Sequence, residues 1–169
     1  MATSDRRGFL KILAGLFAAA TAALATVPVL GAALTPLLRK QEDDASLIKA
    51  VAEKDLIPGV PRRVELTAVV VDGWTRAIGV VGTAWVMKKA DGSISALSSV
   101  CPHSGCSIGQ KTKETYGCPC HASAFSFEGV PLEGPSPRTM DPLPVEVKDG
   151  TVYVKWLRFK VGVKDRRPA

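Results

Sequence analysis

Cysteine and histidine are scarce in this sequence, which has four cysteines and two histidines among 169 residues. The chain has no glycine-rich nucleotide-binding loop and no Ser/His/Asp or paired-carboxylate arrangement that would support a complete active site. The basic residues are spread along the chain and do not interleave with aromatic residues, so the net charge of +6 does not indicate nucleic-acid binding. These absences make the few cysteines and histidines the most informative residues.

All six cysteines and histidines lie between positions 101 and 121. They form two groups, which read CPHSGC (101–106) and CPCHAS (118–123). Each group offers one thiolate and one imidazole at short spacing, with one further cysteine beside them. The candidate metal ligands are Cys101, His103, Cys118 and His121, and the further cysteines are Cys106 and Cys120.

Three kinds of site could use these residues. Two cysteines and two histidines could hold zinc in a tetrahedral site. The four cysteines could instead form structural disulfides, although both histidines would then be unexplained. In the third interpretation, a [2Fe–2S] cluster is held by two cysteines on one iron and two histidines on the other.

A long uncharged segment lies in the N-terminal part of the chain. No charged residue occurs from Ile12 to Leu38, and a helix of these 27 residues would be about 40 Å long, against a hydrocarbon core of about 30 Å. This length predicts a transmembrane anchor over 12–38 rather than a cleavable signal, whose apolar core is shorter. Cleavage is the alternative, because residues 23–25 form an A-x-A pattern.

The preceding residues, SDRRGFLK (4–11), contain two arginines followed by Phe9, Leu10 and Lys11. They resemble the twin-arginine export signal, which carries folded proteins across the membrane. Alternatively, the basic residues only hold the N-terminus in the cytoplasm. Both interpretations predict a cytoplasmic region over 1–11 and a head domain on the periplasmic or outer side of a bacterial inner membrane, with a single membrane pass.

The rest of the chain is predicted to be mostly β-structure. Residues 39–46 (RKQEDDAS) have the composition of a linker or hinge, and 47–56 has apolar residues at the spacing of a short helical turn. From Arg62 onward, short β-prone runs alternate with turns, and Asp149-Gly150 predicts a hairpin between 145–148 and 151–156. The head domain over 47–169 is therefore predicted to be an all-β sandwich or barrel.

The two groups of cysteine and histidine resemble the two boxes of the Rieske iron–sulfur proteins, C-x-H-x-G-C and C-P-C-H-x-S. GPSPR (134–138) is similar to the proline loop that covers the cluster in that family. The resemblance implies an antiparallel β-sandwich with an inserted cluster-binding subdomain, whose loops are 101–106 and 118–125. It also implies one [2Fe–2S] cluster per chain, with a reduction potential of about −150 to +300 mV.

The resemblance also assigns roles to individual residues. The implied cluster ligands are Cys101, His103, Cys118 and His121. The implied disulfide joins Cys106 to Cys120, a pair that Rieske ferredoxins and oxygenase domains generally lack. His121 is the position that contacts quinol and takes up its proton, and the proline loop is represented by Gly134, Pro135 and Pro137.

Four further residues are implied to surround the cluster: Ser104, Gly105, Ser123 and Phe125. Ser123 matches a serine whose hydroxyl points at a bridging sulfide. Phe125 stands where high-potential members often have a tyrosine that bonds a ligand sulfur, and Ser104 stands where leucine is frequent. The missing tyrosine predicts a lower potential, suited to a menaquinone-like donor.

A membrane-anchored, exported head of this kind resembles the iron–sulfur subunit of a cytochrome bc-type quinol:cytochrome c oxidoreductase. The resemblance implies a redox subunit, not a complete enzyme, that accepts an electron from quinol and passes it to a c-type cytochrome beside a cytochrome b subunit. The alternative is the Rieske small subunit of an exported molybdenum oxidase of the arsenite oxidase type. In that case the chain would relay electrons from a large catalytic subunit.

Overall fold

The computed structural model describes residues 5–38, 46–72 and 75–169. The chain divides into two compact units, residues 1–43 and residues 44–169. The predicted hinge at 39–46 lies outside the described residues except for its last position, Ser46. The first four residues of the predicted cytoplasmic region also lie outside them.

The first unit contains one α-helix, α1 (Arg6–Leu38), which continues through Pro28 and Pro36. The stretch Arg6–Leu34 is long and apolar enough to cross a membrane by length and composition. Its large apolar side chains are exposed, among them Phe17 and Leu24. An N-terminal signal sequence can also have this length and apolar composition, so the helix is compatible with both a retained anchor and a cleavable signal.

The described part of the second unit forms three antiparallel sheets. The strands are β1 (Leu47–Ala52), β2 (Arg62–Asp72), β3 (Thr75–Lys88), β4 (Ile94–Ser98), β5 (Gly109–Gln110), β6 (Thr115–Gly117), β7 (Ala124–Ser126), β8 (Pro131–Glu133), β9 (Pro142–Leu143), β10 (Val145–Lys148) and β11 (Thr151–Lys155). The strand orders are β1-β11-β10 in the first sheet, β2-β3-β4-β9 in the second and β5-β6-β7-β8 in the third.

The first two sheets form a sandwich. Its core contains Ile48 and Val152 from the first sheet and Leu66 and Val86 from the second, all buried. The third sheet is inserted in the chain between β4 and β9 and has a separate small core. The prediction of an antiparallel β-sandwich with an inserted subdomain is therefore confirmed.

The predicted hairpin near the C-terminus is also confirmed. β10 and β11 pair with Lys148 opposite Thr151, so that Asp149 and Gly150 form a two-residue turn. Both turn residues have positive φ, 49° and 68°. A type I′ turn requires this conformation at both positions, and the Asp-Gly sequence supplies it.

The predicted helical turn over 47–56 is wrong for most of its length. Residues 47–52 form β1, and only Glu53–Asp55 form a short 3₁₀ helix. The pairing of β1 with β11 has an irregularity between Lys49 and Val51. This bulge places the buried side chains of Ile48 and Val51 three positions apart, which is a spacing typical of helices and not of regular strands.

We expect Gly82→Ala to destabilise the sandwich. A Cβ atom at Gly82 would overlap the indole ring of Trp156, and overpacking of this kind costs about 1–3 kcal/mol. Gly109→Ala is the matched control, because a Cβ there meets nothing within 4 Å. Denaturant unfolding of the detergent-solubilised chain measures both free energies of unfolding. Equal values for the two variants would contradict the prediction.

Candidate metal centre

Two loops bring the cysteines and histidines together. Loop 1 (101–106) follows β4, and the bridge between Val100 and Ser107 closes its base. Within it, the Cys101 amide donates to the Cys106 carbonyl at 2.8 Å. Gly105 adopts φ +83°, a conformation that favours glycine, and its amide donates to the Cys101 carbonyl at 2.9 Å. Loop 1 is therefore a tight turn with Cys101 at its base.

Loop 2 (118–123) connects β6 to β7. The Cys118 amide donates to the Ser123 carbonyl at 2.8 Å, which closes the loop at its two ends. Cys118 and Ser123 are buried, whereas His121 between them is exposed. The two loops have the same plan, with a buried cysteine at the base and a histidine nearer the surface.

A disulfide joins the two loops. It links Cys106 to Cys120, the pairing that the Rieske resemblance implies. Cys101 and Cys118 are free thiols and are buried, so the interpretation in which all four cysteines form disulfides is wrong. The sulfur atoms of Cys106, Cys118 and Cys120 lie within 4.8 Å of one another. The disulfide therefore lies directly beside the free thiol of Cys118.

The two imidazoles lie against each other. The ring centroids of His103 and His121 are 4.7 Å apart, and the ring planes are nearly perpendicular at 88°. His103 is half-buried, and its Nδ1 atom is buried without a hydrogen-bond partner among the described residues. The Nδ1 atom of His121 lies 3.5 Å from the Ser104 hydroxyl of loop 1. Both rings therefore lie at the junction of the loops.

These donors fit a metal-containing group. Burial raises the pKa of the Cys101 thiol, and the neighbouring Cys118 thiol also contributes to the increase. Ionising two adjacent buried thiols is unfavourable without a cation, and a buried imidazole nitrogen without a partner is unfavourable in itself. Two thiolates and two imidazoles are the ligand set of either a Cys₂His₂ zinc site or a Rieske cluster.

Ser123, the last residue of the second box, and Phe125, two positions further on, are both buried. The hydroxyl of Ser123 is buried without a hydrogen-bond partner among the described residues. Phe125, on β7, is completely buried and pairs with Tyr116 of β6. Ser123 therefore supplies a hydroxyl donor without a partner beside Cys118, whereas the Phe125 side chain supplies only apolar surface.

The proline loop (134–138) packs against loop 2. Gly134 has φ +85°, and a Cβ atom there would lie 2.5 Å from the Cα and 2.8 Å from the backbone nitrogen of Ser123. Only glycine allows this approach, for both conformational and steric reasons. The predicted proline loop is thus in contact with loop 2.

Sequence reasoning missed the residues that support the small sheet. The indole nitrogen of Trp85, on β3, donates to the Ile108 carbonyl at 3.0 Å. The Trp85 ring also lies 4.9 Å from the ring of Tyr116, which packs in turn on Phe127. Tyr116 is almost fully buried in the small core, and this burial raises the pKa of its hydroxyl. A tryptophan in a β-prone run gave no local signal of this role.

The fold and the site together define a β-domain in which two linked loops bring together cysteine and histidine side chains that could hold a metal-containing group. Residues 48–149 match the family model for the Rieske [2Fe-2S] domain. This chain belongs to the Rieske family. Its cofactor is therefore a [2Fe–2S] cluster rather than zinc, and the donors at loops 1 and 2 fit such a group.

Two curated relatives are similar to this chain over most of their length. The menaquinol:cytochrome c reductase iron-sulfur subunit of Geobacillus thermodenitrificans is 34% identical over 133 residues, which are 76% of this chain and 77% of the relative. The subunit of the same name from Bacillus subtilis is 30% identical and covers 89% of this chain and 90% of its own length. A solved cyanobacterial plasma membrane Rieske protein from Synechocystis PCC 6803 has 24% identity and a TM-score of 0.43, and covers 66% of this chain and 99% of the other.

We expect Gly134→Ala to disturb the cluster site more than the fold. The added Cβ would push the proline loop away from Ser123, and we expect a changed EPR spectrum of the reduced cluster and faster cluster loss to a chelator. Gly92→Ala is the matched control, because Gly92 has nearly the same φ of +84° but no atom within 4 Å of its Cβ position. If both variants kept the wild-type spectrum, the contact would not matter for the site.

Proposed function

We propose that this chain is the electron-transfer subunit of a membrane quinol:cytochrome c oxidoreductase. In this proposal it accepts one electron from a quinol, which is a menaquinol, and passes it to a c-type cytochrome. A cytochrome b subunit receives the second electron of the quinol. The chain is a redox subunit and depends on these partners for a complete reaction.

One observation carries the proposal. The similarity to the Bacillus subtilis menaquinol:cytochrome c reductase subunit covers about nine-tenths of both chains, 89% of this one and 90% of the relative. A similarity of this extent includes residues outside the Rieske domain match at 48–149. It therefore supports a shared layout of N-terminal helix and head, in addition to a shared cluster domain.

We assign the cluster ligands as Cys101 and Cys118 on one iron and His103 and His121 on the other. When bound, the cluster supplies one-electron chemistry at a higher potential than a four-cysteine cluster, because neutral imidazoles replace two anionic thiolates. The free thiols, the unpartnered Nδ1 of His103 and the disulfide beside Cys118 support this assignment.

The two histidines differ in exposure, and this supports different roles. His121 is exposed and His103 is half-buried, so His121 is the imidazole that a quinol can reach. In the proposal, a quinol hydroxyl donates a hydrogen bond to the nitrogen of His121 that does not bind iron, and its proton moves to that nitrogen. Histidine suits this step because its pKa lies near neutral pH and responds to neighbouring charge.

The location follows from the N-terminal residues. We propose that Arg6 and Arg7 belong to a twin-arginine signal, that α1 is retained as a single-pass anchor, and that the head lies on the outer side of a bacterial inner membrane. The disulfide between Cys106 and Cys120 supports this location, because disulfides persist in oxidising compartments.

Purification of the native complex tests the function. We expect the chain to co-purify in mild detergent with b- and c-type haems, to retain α1 by mass spectrometry, and to be reduced by menaquinol in the assembled complex. Purification of a cleaved chain with a molybdenum protein would contradict the proposal and favour the oxidase small subunit.

Substitutions of Ser123 in loop 2 and of Phe125 on β7 test how the reduction potential of the cluster is set. We expect Phe125→Tyr to raise the midpoint potential and Ser123→Ala to lower it, because hydroxyl donors to cluster sulfur stabilise the reduced state. A tenfold change in the equilibrium corresponds to about 59 mV for one electron. Redox titration followed by EPR measures both shifts, and Ser126→Ala, on β7 with Phe125, is the control. Unchanged midpoints in both variants would remove the basis for a menaquinol-adapted potential.

A further inference from the structure

The C-terminal segment 158–169 lies outside the residues that match the Rieske domain, which end at 149. It folds into a small loop of its own, in which the Lys160 amide donates to the Arg167 carbonyl at 2.9 Å and the Ala169 amide donates to the Arg158 carbonyl at 3.0 Å. An isolated bridge joins Phe159 to Pro168. The segment is therefore an ordered element, which we call the C-terminal strap (158–169).

The strap contacts loop 1 next to a cluster ligand. The Gly162 amide donates to the Pro102 carbonyl at 2.8 Å. A Cβ atom built at Gly162 would lie 3.6 Å from the His103 carbonyl oxygen, and one built at Gly105 would lie 3.9 Å from Val161. The backbone on both sides of His103 is thus held or contacted by the strap.

Arg138 holds the strap from the end of the proline loop. The guanidinium is buried and donates to both carboxylate oxygens of Asp141, at 3.0 Å from Nε and 2.8 Å from Nη2. Its Nη1 donates to the Val163 carbonyl at 2.6 Å, and its Nη2 donates to the Lys160 carbonyl at 2.9 Å. These two carbonyls flank residues 161 and 162, which contact loop 1.

The Asp141 carboxylate also has a second guanidinium partner, which comes from the strap. Arg166 of the strap donates from Nε to Asp141 at 2.9 Å and from Nη2 to the Thr139 hydroxyl at 3.1 Å. The Asp141 carbonyl also accepts from the Ser98 amide at the end of β4, at 2.8 Å. Asp141 therefore ties three elements together: its buried carboxylate binds Arg138 of the proline loop and Arg166 of the strap, and its backbone carbonyl binds the strand that leads into loop 1.

We propose that the C-terminal strap is a third wall of the cluster site and that Arg138 is the positioning residue that holds it against loop 1. The strap fixes the backbone around His103 and keeps water away from the loop 1 side of the site, while the proline loop covers loop 2. The proposal requires the family's cluster and is independent of which quinol or cytochrome the chain uses.

Loosening the strap has a defined electrochemical consequence. With two thiolates and two neutral imidazoles, the oxidised centre has no net charge, and the reduced centre has one negative charge. Water favours the charged form. Admission of water at loop 1 therefore raises the ratio of reduced to oxidised centre at a fixed potential, whereas a strap with only a structural role leaves this ratio unchanged.

The test uses the full-length chain with its cluster, in detergent, and compares three variants with the wild type. Arg138→Gln removes the positioning group. Truncation after Phe159 removes its strap partners and leaves the Arg138–Asp141 pair in place. Arg167→Gln is the matched control, because Arg167 lies on the strap but, among the described residues, its guanidinium bonds only the exposed Asp165, at 2.9 Å.

We expect Arg138→Gln and the truncation to raise amide exchange in loop 1 by roughly tenfold or more, with little change in loop 2 or the sandwich core. In Arg138→Gln, the Gly162 amide exchanges faster as well. Both variants raise the reduced-to-oxidised ratio by about threefold or more at the wild-type midpoint and change the EPR spectrum. Arg167→Gln keeps the wild-type values.

Three results would overturn the proposal. The first is amide exchange in loop 1 that stays at the wild-type rate in the truncated chain. The second is faster exchange in loop 1 with an unchanged reduced-to-oxidised ratio and EPR spectrum, and the third is changes in Arg167→Gln as large as those in Arg138→Gln. If Arg138→Gln does not fold, the truncated chain decides the outcome, because it leaves no unpaired buried charge. The test of the strap does not depend on quinol oxidation, so failure of the proposed redox function does not affect its result.

Discussion

The fixed separation of loop 1 and loop 2 is the constraint on which the rest of this structure depends. Each loop carries one thiol and one imidazole, so neither loop can form the ligand set alone. The disulfide between Cys106 and Cys120 joins the loops covalently. The backbone hydrogen bonds at Cys101 and Cys118 close each loop at its base. The spacing of the four candidate ligands is therefore set by the loops themselves and by the sheets that carry them.

The sheet that carries loop 2 could not provide this rigidity without the sandwich. Its strands are two or three residues long, and strands of this length need additional packing for stability. Trp85 supplies part of it, because it belongs to the sandwich sheet, donates to the Ile108 carbonyl just before β5, and packs against the ring of Tyr116 on β6. The sandwich sheet thus contributes a side chain to the small core that supports loop 2.

Local chemistry explains which features could be predicted from the sequence. The ligand boxes and the Asp149-Gly150 turn are defined by neighbouring residues, so a single segment carries the whole signal. β1 was missed because the bulge after Lys49 gave its buried residues a helical spacing. The roles of Trp85 and Arg138 depend on partners 23 to 25 positions away, Ile108 and Val163. No pattern within one segment could reveal contacts at that distance.

The unpartnered polar atoms connect cluster binding to folding. Three buried side-chain atoms lack a hydrogen-bond partner among the described residues, namely Nδ1 of His103, Oγ of Ser123 and Nε1 of Trp156. Two of them lie at the cluster site, one on each loop. Each such atom disfavours the folded state by about 1–3 kcal/mol. A group that ligates the first and accepts a hydrogen bond from the second removes both penalties. Such a group would therefore make the closed arrangement of the loops more stable than it is without the group.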